Sequence, residues 1–133
     1  MAFCEFKNVR IAGIAAGVPK NVVSILNGDS NVVLAEGTTA EAFVEQTGVR
    51  ERRVDKTSTT SDLCYAAAEK LIFDLGWDKK EIDAIFFVSQ TTDYFLPATA
   101  CIMQDRLGLS KDCYATDIVL GCSGWVYGLS NAV

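Results

Sequence analysis

Hydrophobic and polar positions along this chain follow two different periods. Between positions 64 and 75, apolar residues recur every three or four residues, which predicts the buried face of a helix. Ser61 and Asp62 precede this stretch as helix-starting residues, and Gly76 follows it as a stop. At 84–89 the sequence AIFFVS forms a continuous, largely apolar run, which is typical of a strand buried on both faces of a sheet.

The amino-terminal third is predicted to hold a strand, a hairpin and a short helix. Residues 8–16 alternate between apolar and polar and then become small and apolar, which favours a first strand. Two Val-rich pieces, 22–26 and 31–34, flank an Asn-Gly-Asp-Ser turn signal and predict a hairpin. Threonines at 38–39 can cap a short helix that extends through Gln46, and a glycine two residues later can end it.

The carboxy-terminal part is predicted to alternate between helices and strands. A short capped turn is expected at 78–81, and Pro97 is expected to be the first residue of a helix that Gly108 ends. A last strand is expected at 113–120. The helix after it has no stop signal before Val133, so we expect the natural protein to continue beyond this chain. Alternating strands and helices predict an α/β domain with a mostly parallel sheet.

Composition narrows the possible functions. The chain has no histidine, so a serine hydrolase triad, a papain-like pair or a histidine-bearing zinc site cannot be completed within it. The net charge of −5 argues against nucleic-acid binding, and we expect the basic residues at 50–56 to form ion pairs. The amino terminus does not resemble a signal peptide, and the uncharged stretch at 118–133 is shorter than the roughly 18 residues of a membrane span. We therefore expect a soluble, cytoplasmic protein without membrane contact.

The five cysteines are the residues with candidate chemistry. Their number is odd and no C-x-x-C pair is present, which indicates reduced, individual thiols and no metal site. Cys64 and Cys101 lie within predicted helices, where we expect them to pack in the core. Cys122 differs because it stands between Gly121 and the pair Ser123-Gly124, at the junction of a predicted strand and a predicted helix.

A thiol at such a junction can act as a nucleophile. The amino terminus of a helix favours thiolate, and small neighbours allow a substrate carbonyl to approach a backbone N–H that can stabilise an oxyanion. In the alternative interpretation, the glycines allow close packing of strand and helix, and Cys122 only fills a gap. Ser123 is a weaker candidate nucleophile because the pattern is not G-x-S-x-G.

Three segments resemble, in the same order, the motifs of the β-ketoacyl-acyl-carrier-protein synthase III family. The sequence DIVLGCSGWVYGL at 117–129 is similar to the active-site segment D-x-x-x-A-C-[SA]-G-F-x-Y-x-L. TGVRERR at 47–53 is similar to TGIRER, and LPATA at 96–100 with Gln104 is similar to FPSAACxxQ. The resemblance implies that residues 1–133 form the amino-terminal half of a thiolase-like layered α/β fold with a mixed, mostly parallel sheet, the carboxy-terminal half being absent.

The resemblance also implies an activity. In the family, the cysteine takes an acyl group from coenzyme A, and a histidine and an asparagine of the second half then help malonyl-acyl-carrier-protein to lose carbon dioxide and attack the thioester. Cys122 would be the acyl acceptor, Thr47 would belong to the coenzyme A site, and Leu96 would reach the acyl pocket of the partner in a homodimer. The coenzyme A thioester would be a substrate, with no further cofactor or metal. The fragment alone would be inactive in this step of fatty acid biosynthesis.

Departures from the family pattern leave the acyl donor open. A Trp and an Arg that commonly precede the family threonine are replaced by Ala42 and Gln46, and the region 20–37 is longer than usual. Alternatives are another enzyme of the same fold, such as a hydroxymethylglutaryl-CoA synthase or a polyketide-type synthase, and a non-catalytic α/β binding module.

Overall fold

The computed structural model describes residues 4–27 and 33–133, which divide into two compact units. The first unit contains the described residues up to Gly17 together with Ser58–Val133, and the second contains those of Val18–Thr57. Within the described part of the chain, no helix is both long enough and apolar enough to cross a membrane.

The second unit consists of two short strands and one helix. Strand β1 (Val22–Ser24) precedes helix α1 (Ala40–Thr47), and strand β2 (Glu51–Arg53) follows it. The Thr39 side chain accepts a hydrogen bond from the Ala42 N–H at 3.2 Å, and Gly48 ends the helix with a φ of 73°. The predicted short helix is therefore confirmed, including its cap and its stop.

The predicted hairpin is wrong in the choice of partner for β1. Strand β1 pairs antiparallel with β2, and hydrogen bonds from Ile25 to Arg50 and from Val54 to Asn21 extend the ladder at both ends. Val33 and Leu34 are in no strand, while positions 31–32 lie outside the described residues. Ile25, at the end of this pairing, is buried. A local turn signal does not indicate which distant segment a strand pairs with.

The first unit holds the remaining regular elements. In chain order they are helix α2 (Thr60–Leu75), a 3₁₀ turn (Lys79–Glu81), strand β3 (Ala84–Val88), helix α3 (Thr99–Leu107), strand β4 (Tyr114–Ile118) and helix α4 (Gly124–Asn131). Strands β3 and β4 pair in parallel, from Ala84 opposite Tyr114 to Val88 opposite Ile118. The α/β class and the parallel pairing are confirmed, and the antiparallel pair of the second unit is a separate two-stranded sheet.

The core of the first unit lies between this parallel pair and helices α2 and α3. Its buried members are Ile72, Phe87, Ala100, Met103, Leu107, Leu109 and Cys113. Strand β3 was predicted to be buried on both faces, but only Phe87 is buried. Phe86 and Val88 point to the opposite face, where Trp125 of α4 helps to line an open groove. Burial of Phe87 alone contributes about 2 kcal/mol to folding.

The strand predicted at 8–16 is not formed. These residues form no strand, and the chain approaches helix α2 closely at Gly13 and, just beyond the segment, at Gly17. A Cβ on Gly13 would lie 2.9 Å from Leu71 Cδ1, and one on Gly17 would lie 2.3 Å from the Leu63 carbonyl oxygen. The small residues in this segment therefore serve contact with a helix rather than insertion into a sheet.

Candidate active site

Cys122 lies in a tight turn that connects β4 to α4. The turn is closed by a hydrogen bond from the Gly124 N–H to the Gly121 carbonyl oxygen at 2.8 Å, and α4 begins at Gly124. The N–H groups of Val126 and Tyr127 donate to the Ser123 carbonyl oxygen and so start the helical ladder. Cys122 is exposed. The predicted junction of strand, cysteine and helix is therefore present in the fold.

Two glycines of α4 determine how closely the turn approaches the sheet. A Cβ on Gly124 would lie 2.6 Å from Val88 Cγ1, and one on Gly128 would lie 2.8 Å from Val88 Cγ2. Neither distance is compatible with a side chain, so both positions need glycine for α4 to pack against β3. The alternative interpretation is therefore right that the glycines allow close packing of strand and helix. That interpretation is wrong about Cys122 itself, because this residue is exposed and fills no gap in the core.

Gln90 is a polar neighbour of the turn that the sequence did not reveal. Its side-chain nitrogen lies 3.1 Å from the place a Cβ on Gly121 would occupy. Gln90 follows β3, and Cys122 follows the adjacent parallel strand β4. The carboxyl ends of neighbouring parallel strands meet at one edge of a sheet, and this pairing is the signal that could have identified Gln90.

Leu96 lies on an exposed loop between β3 and α3. The side chains of Tyr94, Phe95 and Leu96 are all exposed, Leu96 at 85%. Pro97 precedes α3 and is not its first residue, since the helix begins at Thr99. Its start is fixed by Asp117 of β4, whose carboxylate accepts the backbone N–H groups of Thr99 and Ala100 at 2.8 and 2.7 Å.

A group of hydrogen-bonded side chains holds the base of this loop, and we call it the loop-base cluster. Its members are Thr59, Ser61, Asp93 and Thr99. Ser61 donates to the Asp93 carboxylate, and the Thr59 hydroxyl lies 3.4 Å from the same oxygen. The backbone N–H of Asp93 donates to the Thr99 hydroxyl at 3.1 Å. The cluster therefore connects the loop to the first turns of both α2 and α3.

The first turn of α2 carries a second set of polar contacts. Thr59 and Asp62 form a reciprocal capping box, which places the helix start one residue before the predicted Ser61. Arg106 of α3 pairs with Asp62 at 2.9 Å. The hydrogen bond from the Thr59 backbone N–H, followed by that from Arg106, holds the pKa of Asp62 below its ordinary value of 3.8.

The other cysteines occupy different environments. Cys113 is buried in the core, and burial, followed by the negative charge of Asp83, raises the pKa of its thiol. Cys64 and Cys101 were predicted to be core residues, but both are exposed. On α3 the buried positions are Ala100, Met103 and Leu107, and Cys101 lies about 100° around the helix from that face. Desolvation and the nearby Asp93 carboxylate raise the pKa of the Cys64 thiol.

Thr47 is the last residue of α1 and belongs to the second unit. Its hydroxyl donates to the Phe43 carbonyl oxygen at 2.7 Å and accepts from the Val49 N–H at 3.2 Å. Cys122 and Leu96 belong to the first unit. Among the described residues, no group of three or more histidine, cysteine or carboxylate side chains is arranged to hold a metal ion.

The most similar proteins in sequence all carry the same name among those compared below. No family model matches the chain. The β-ketoacyl-[acyl-carrier-protein] synthase III of Clostridium beijerinckii is 37% identical over 126 residues, which are 94% of this chain and 37% of that protein. The enzyme of the same name from Latilactobacillus sakei is 38% identical over 123 residues, covering 92% of this chain and 36% of that protein. This chain therefore spans little more than a third of the relatives that it matches.

Solved structures give the same result for the fold. The 3-oxoacyl-(acyl-carrier protein) synthase of Burkholderia xenovorans superposes with a TM-score of 0.77 at 40% identity, covering 92% of this chain and 36% of that one. OleA of Xanthomonas campestris superposes with a TM-score of 0.79 at 26% identity, over 96% of this chain and 38% of that one. The predicted thiolase-like fold is confirmed. In sequence and in fold, this chain thus matches the β-ketoacyl-acyl-carrier-protein synthase III family of condensing enzymes over the part of the family's length that it spans.

Proposed function

We propose that the whole protein containing this chain is an acyltransferase that condenses an acyl thioester with malonyl-acyl-carrier-protein at the start of fatty acid synthesis. The observation that carries the proposal is the exposed Cys122 in the glycine-bounded turn between β4 and α4. The names of the sequence relatives support the reaction class, since each is a β-ketoacyl-acyl-carrier-protein synthase III.

In the first step, the Cys122 thiolate attacks the thioester carbonyl of an acyl-coenzyme A. The tetrahedral intermediate collapses with loss of the coenzyme A thiolate and leaves an acyl group on the Cys122 sulfur. The backbone N–H of Cys122 is the proposed donor to the oxyanion, and the hydrogen bonds found among the described residues leave this group unused. The Gly121 and Ser123 neighbours leave room for the substrate carbonyl.

In the second step, malonyl-acyl-carrier-protein loses carbon dioxide, and the resulting enolate carbon attacks the acyl-cysteine carbonyl. The new carbon–carbon bond releases the Cys122 thiolate and gives a 3-oxoacyl product on the carrier protein. We assign the acid–base groups of this step to no residue of the present chain, which contains no histidine.

The binding partners follow from the same proposal. In this proposal the protein is a cytoplasmic homodimer, and Leu96 lies in the acyl pocket of the partner subunit. The 85% exposure of Leu96 on its loop supports this role, because the side chain is free to contact a partner. Thr47 would contribute to coenzyme A binding, either through its hydroxyl or through the backbone turn that this hydroxyl holds at the end of α1. Coenzyme A thioester and carrier protein are substrates in this scheme, and no separate cofactor is invoked.

The fold is also similar to OleA and to a tetronic acid condensing enzyme, the latter at 25% identity and a TM-score of 0.71, so we keep a related condensing enzyme as an alternative. In that alternative, the same Cys122 accepts an acyl group but the second substrate is not malonyl-acyl-carrier-protein. A non-catalytic binding module is the remaining possibility, and an iodoacetamide reaction at Cys122 no faster than that of a free thiol would favour it.

The test is acylation of the whole protein, followed by intact mass spectrometry. Incubation with an acyl-coenzyme A is expected to add one acyl mass, and Cys122→Ala is expected to abolish it. Cys101→Ala is the matched control because Cys101 is also an exposed thiol, on α3. An adduct that persists in Cys122→Ala would disprove the proposed nucleophile. An acylated protein that yields no 3-oxoacyl product with malonyl-acyl-carrier-protein would support the alternative with a different second substrate.

A further inference from the structure

We propose that Asp93 is a positioning residue that sets the acyl-chain selectivity of this protein by holding the loop that carries Leu96. The inference rests on the proposed function, in which Leu96 contacts the acyl chain. It adds to that function a residue which does not itself touch the substrate.

The first step is the way Asp93 joins the loop to two helices. Its carboxylate accepts a hydrogen bond from Ser61 in the first turn of α2, and its backbone N–H donates to Thr99 in the first turn of α3. Ser61 and Thr99 are both completely buried, with 0% exposure. Buried hydroxyl groups need partners, so these contacts are costly to break.

The second step is that both contact points are themselves held in place. Arg106 donates to the Ser61 hydroxyl at 3.3 Å, and Asp117 of β4 accepts the Thr99 backbone N–H at 2.8 Å. Asp117 lies on the strand that leads to the Cys122 turn. Through Thr99 and Asp117, Asp93 therefore connects the loop to β4, the strand that leads to Cys122.

The third step concerns the residues that follow Asp93. Tyr94, Phe95 and Leu96 are exposed by 62%, 104% and 85%, so they gain little from packing within their own unit. Within this chain, few contacts of these side chains hold the loop, so its position depends on the base to which Asp93 ties it. A small displacement of Leu96 would change the space open to an acyl chain, and a single methylene of pocket space is worth about tenfold or more in discrimination.

The experiment measures Cys122 acylation in the whole protein with acyl-coenzyme A substrates of increasing chain length. Asp93→Ala is expected to change the ratio of long-chain to short-chain acylation rates by about fivefold or more. Asp93→Asn keeps an oxygen that can accept from Ser61, so it is expected to restore most of the original ratio. Asp112→Ala, which removes a carboxylate from the turn after α3, is the matched control and should leave the ratio unchanged.

A second readout does not depend on activity. Chymotrypsin cleaves after Tyr94 or Phe95, and cleavage there is expected to be faster in Asp93→Ala than in the wild type or in Asp93→Asn. If no thioester acylates wild-type Cys122, the proposed function fails, while this cleavage still reports whether Asp93 holds the loop.

Two results would overturn the positioning role. One is an unchanged chain-length ratio in Asp93→Ala with acylation intact. The other is an equal loss of rate for every chain length in both Asp93→Ala and Asp93→Asn, which would mean that Asp93 only stabilises the fold.

Discussion

At the scale of single residues, carboxylates fix the starts of the two helices to which the loop-base cluster joins the Leu96 loop. Asp117 accepts two backbone N–H groups at the start of α3, and Asp62 accepts the Thr59 N–H at 3.0 Å at the start of α2. Backbone donors in a first helical turn have no partner within the helix, so these side chains stabilise the helix ends directly.

The Asp62 contacts predict a dependence of stability on pH. The pKa of Asp62 lies below 3.8 in the folded chain, so its ionised form favours folding at neutral pH. This stability is complete above the ordinary carboxyl range and is lost as the pH falls through the lowered pKa. Thermal unfolding of wild type and Asp62→Asn at about pH 7, 5 and 3 should show a difference that shrinks toward the lowest pH.

Asp112→Asn is the control for loss of an exposed carboxylate outside the α2 capping box. A difference between wild type and Asp62→Asn that grows as the pH falls from about 5 to 3 would contradict the direction derived from the capping contacts.

Single residues were partly predictable from the sequence. The placement of Cys122 between a strand and a helix was predictable, because an apolar strand pattern ends before Gly121 and a helical pattern begins after it. The exposure of Cys64 and Cys101 was not predictable. A helical period identifies an apolar stripe, but it does not show how much of that stripe a neighbouring element covers. Asp117 belongs to a recognisable motif, yet its capping role requires β4 and α3 to be adjacent in space.

At the scale of elements, the packing of α4 on β3 depends on glycine. Gly124 and Gly128 both face Val88, at distances that leave no room for a Cβ. Because valine is stiff at its first side-chain torsion, it cannot easily move aside. The approach of this helix to the strand therefore determines where the Cys122 turn lies.

Gly128→Ala is expected to destabilise the protein by about 1–3 kcal/mol through overpacking against Val88. Val88→Ala removes Cγ2, the methyl group that the new Cβ would meet, so the double variant should be more stable than the sum of the single effects predicts. Chemical denaturation of all four proteins provides the measurement. Strict additivity would show that Gly128 is not required for this contact.

Elements with strong local signals were predicted well. The capped helices α1 and α2 and the apolar strand β3 all formed near their predicted positions. The hairpin after β1 and the strand at 8–16 were wrong, because strands need partners and a sequence window does not say which distant segment supplies them. In the structure, β2 takes that place for β1, and the segment 8–16 forms no strand but contacts helix α2 at Gly13.

At the scale of the whole molecule, the chain spans little more than a third of its synthase relatives. It carries the proposed acyl acceptor but no histidine. The two steps of the proposed reaction therefore need different groups. Acyl transfer uses Cys122 of this chain, whereas condensation needs further acid–base groups.

The 133 residues expressed alone are expected to give no condensation product from an acyl-coenzyme A and malonyl-acyl-carrier-protein. The whole protein is the positive control, and circular dichroism of the short chain establishes whether its helices are formed. Mass spectrometric detection of a 3-oxoacyl carrier protein from the short chain would refute the proposal that condensation needs groups outside these 133 residues.

The sequence by itself determined the α/β class, the capped helices and the position of a cysteine between a strand and a helix. These properties follow from periodicity, capping residues and glycine, all of which act over a few neighbouring positions. Only the tertiary structure decided that β1 pairs with β2, that Gln90 lies beside the Cys122 turn, and that Asp93 and Asp117 tie the Leu96 loop to α2, α3 and β4. Such contacts join residues far apart in the chain, and their free energy depends on packing and desolvation that no local pattern encodes.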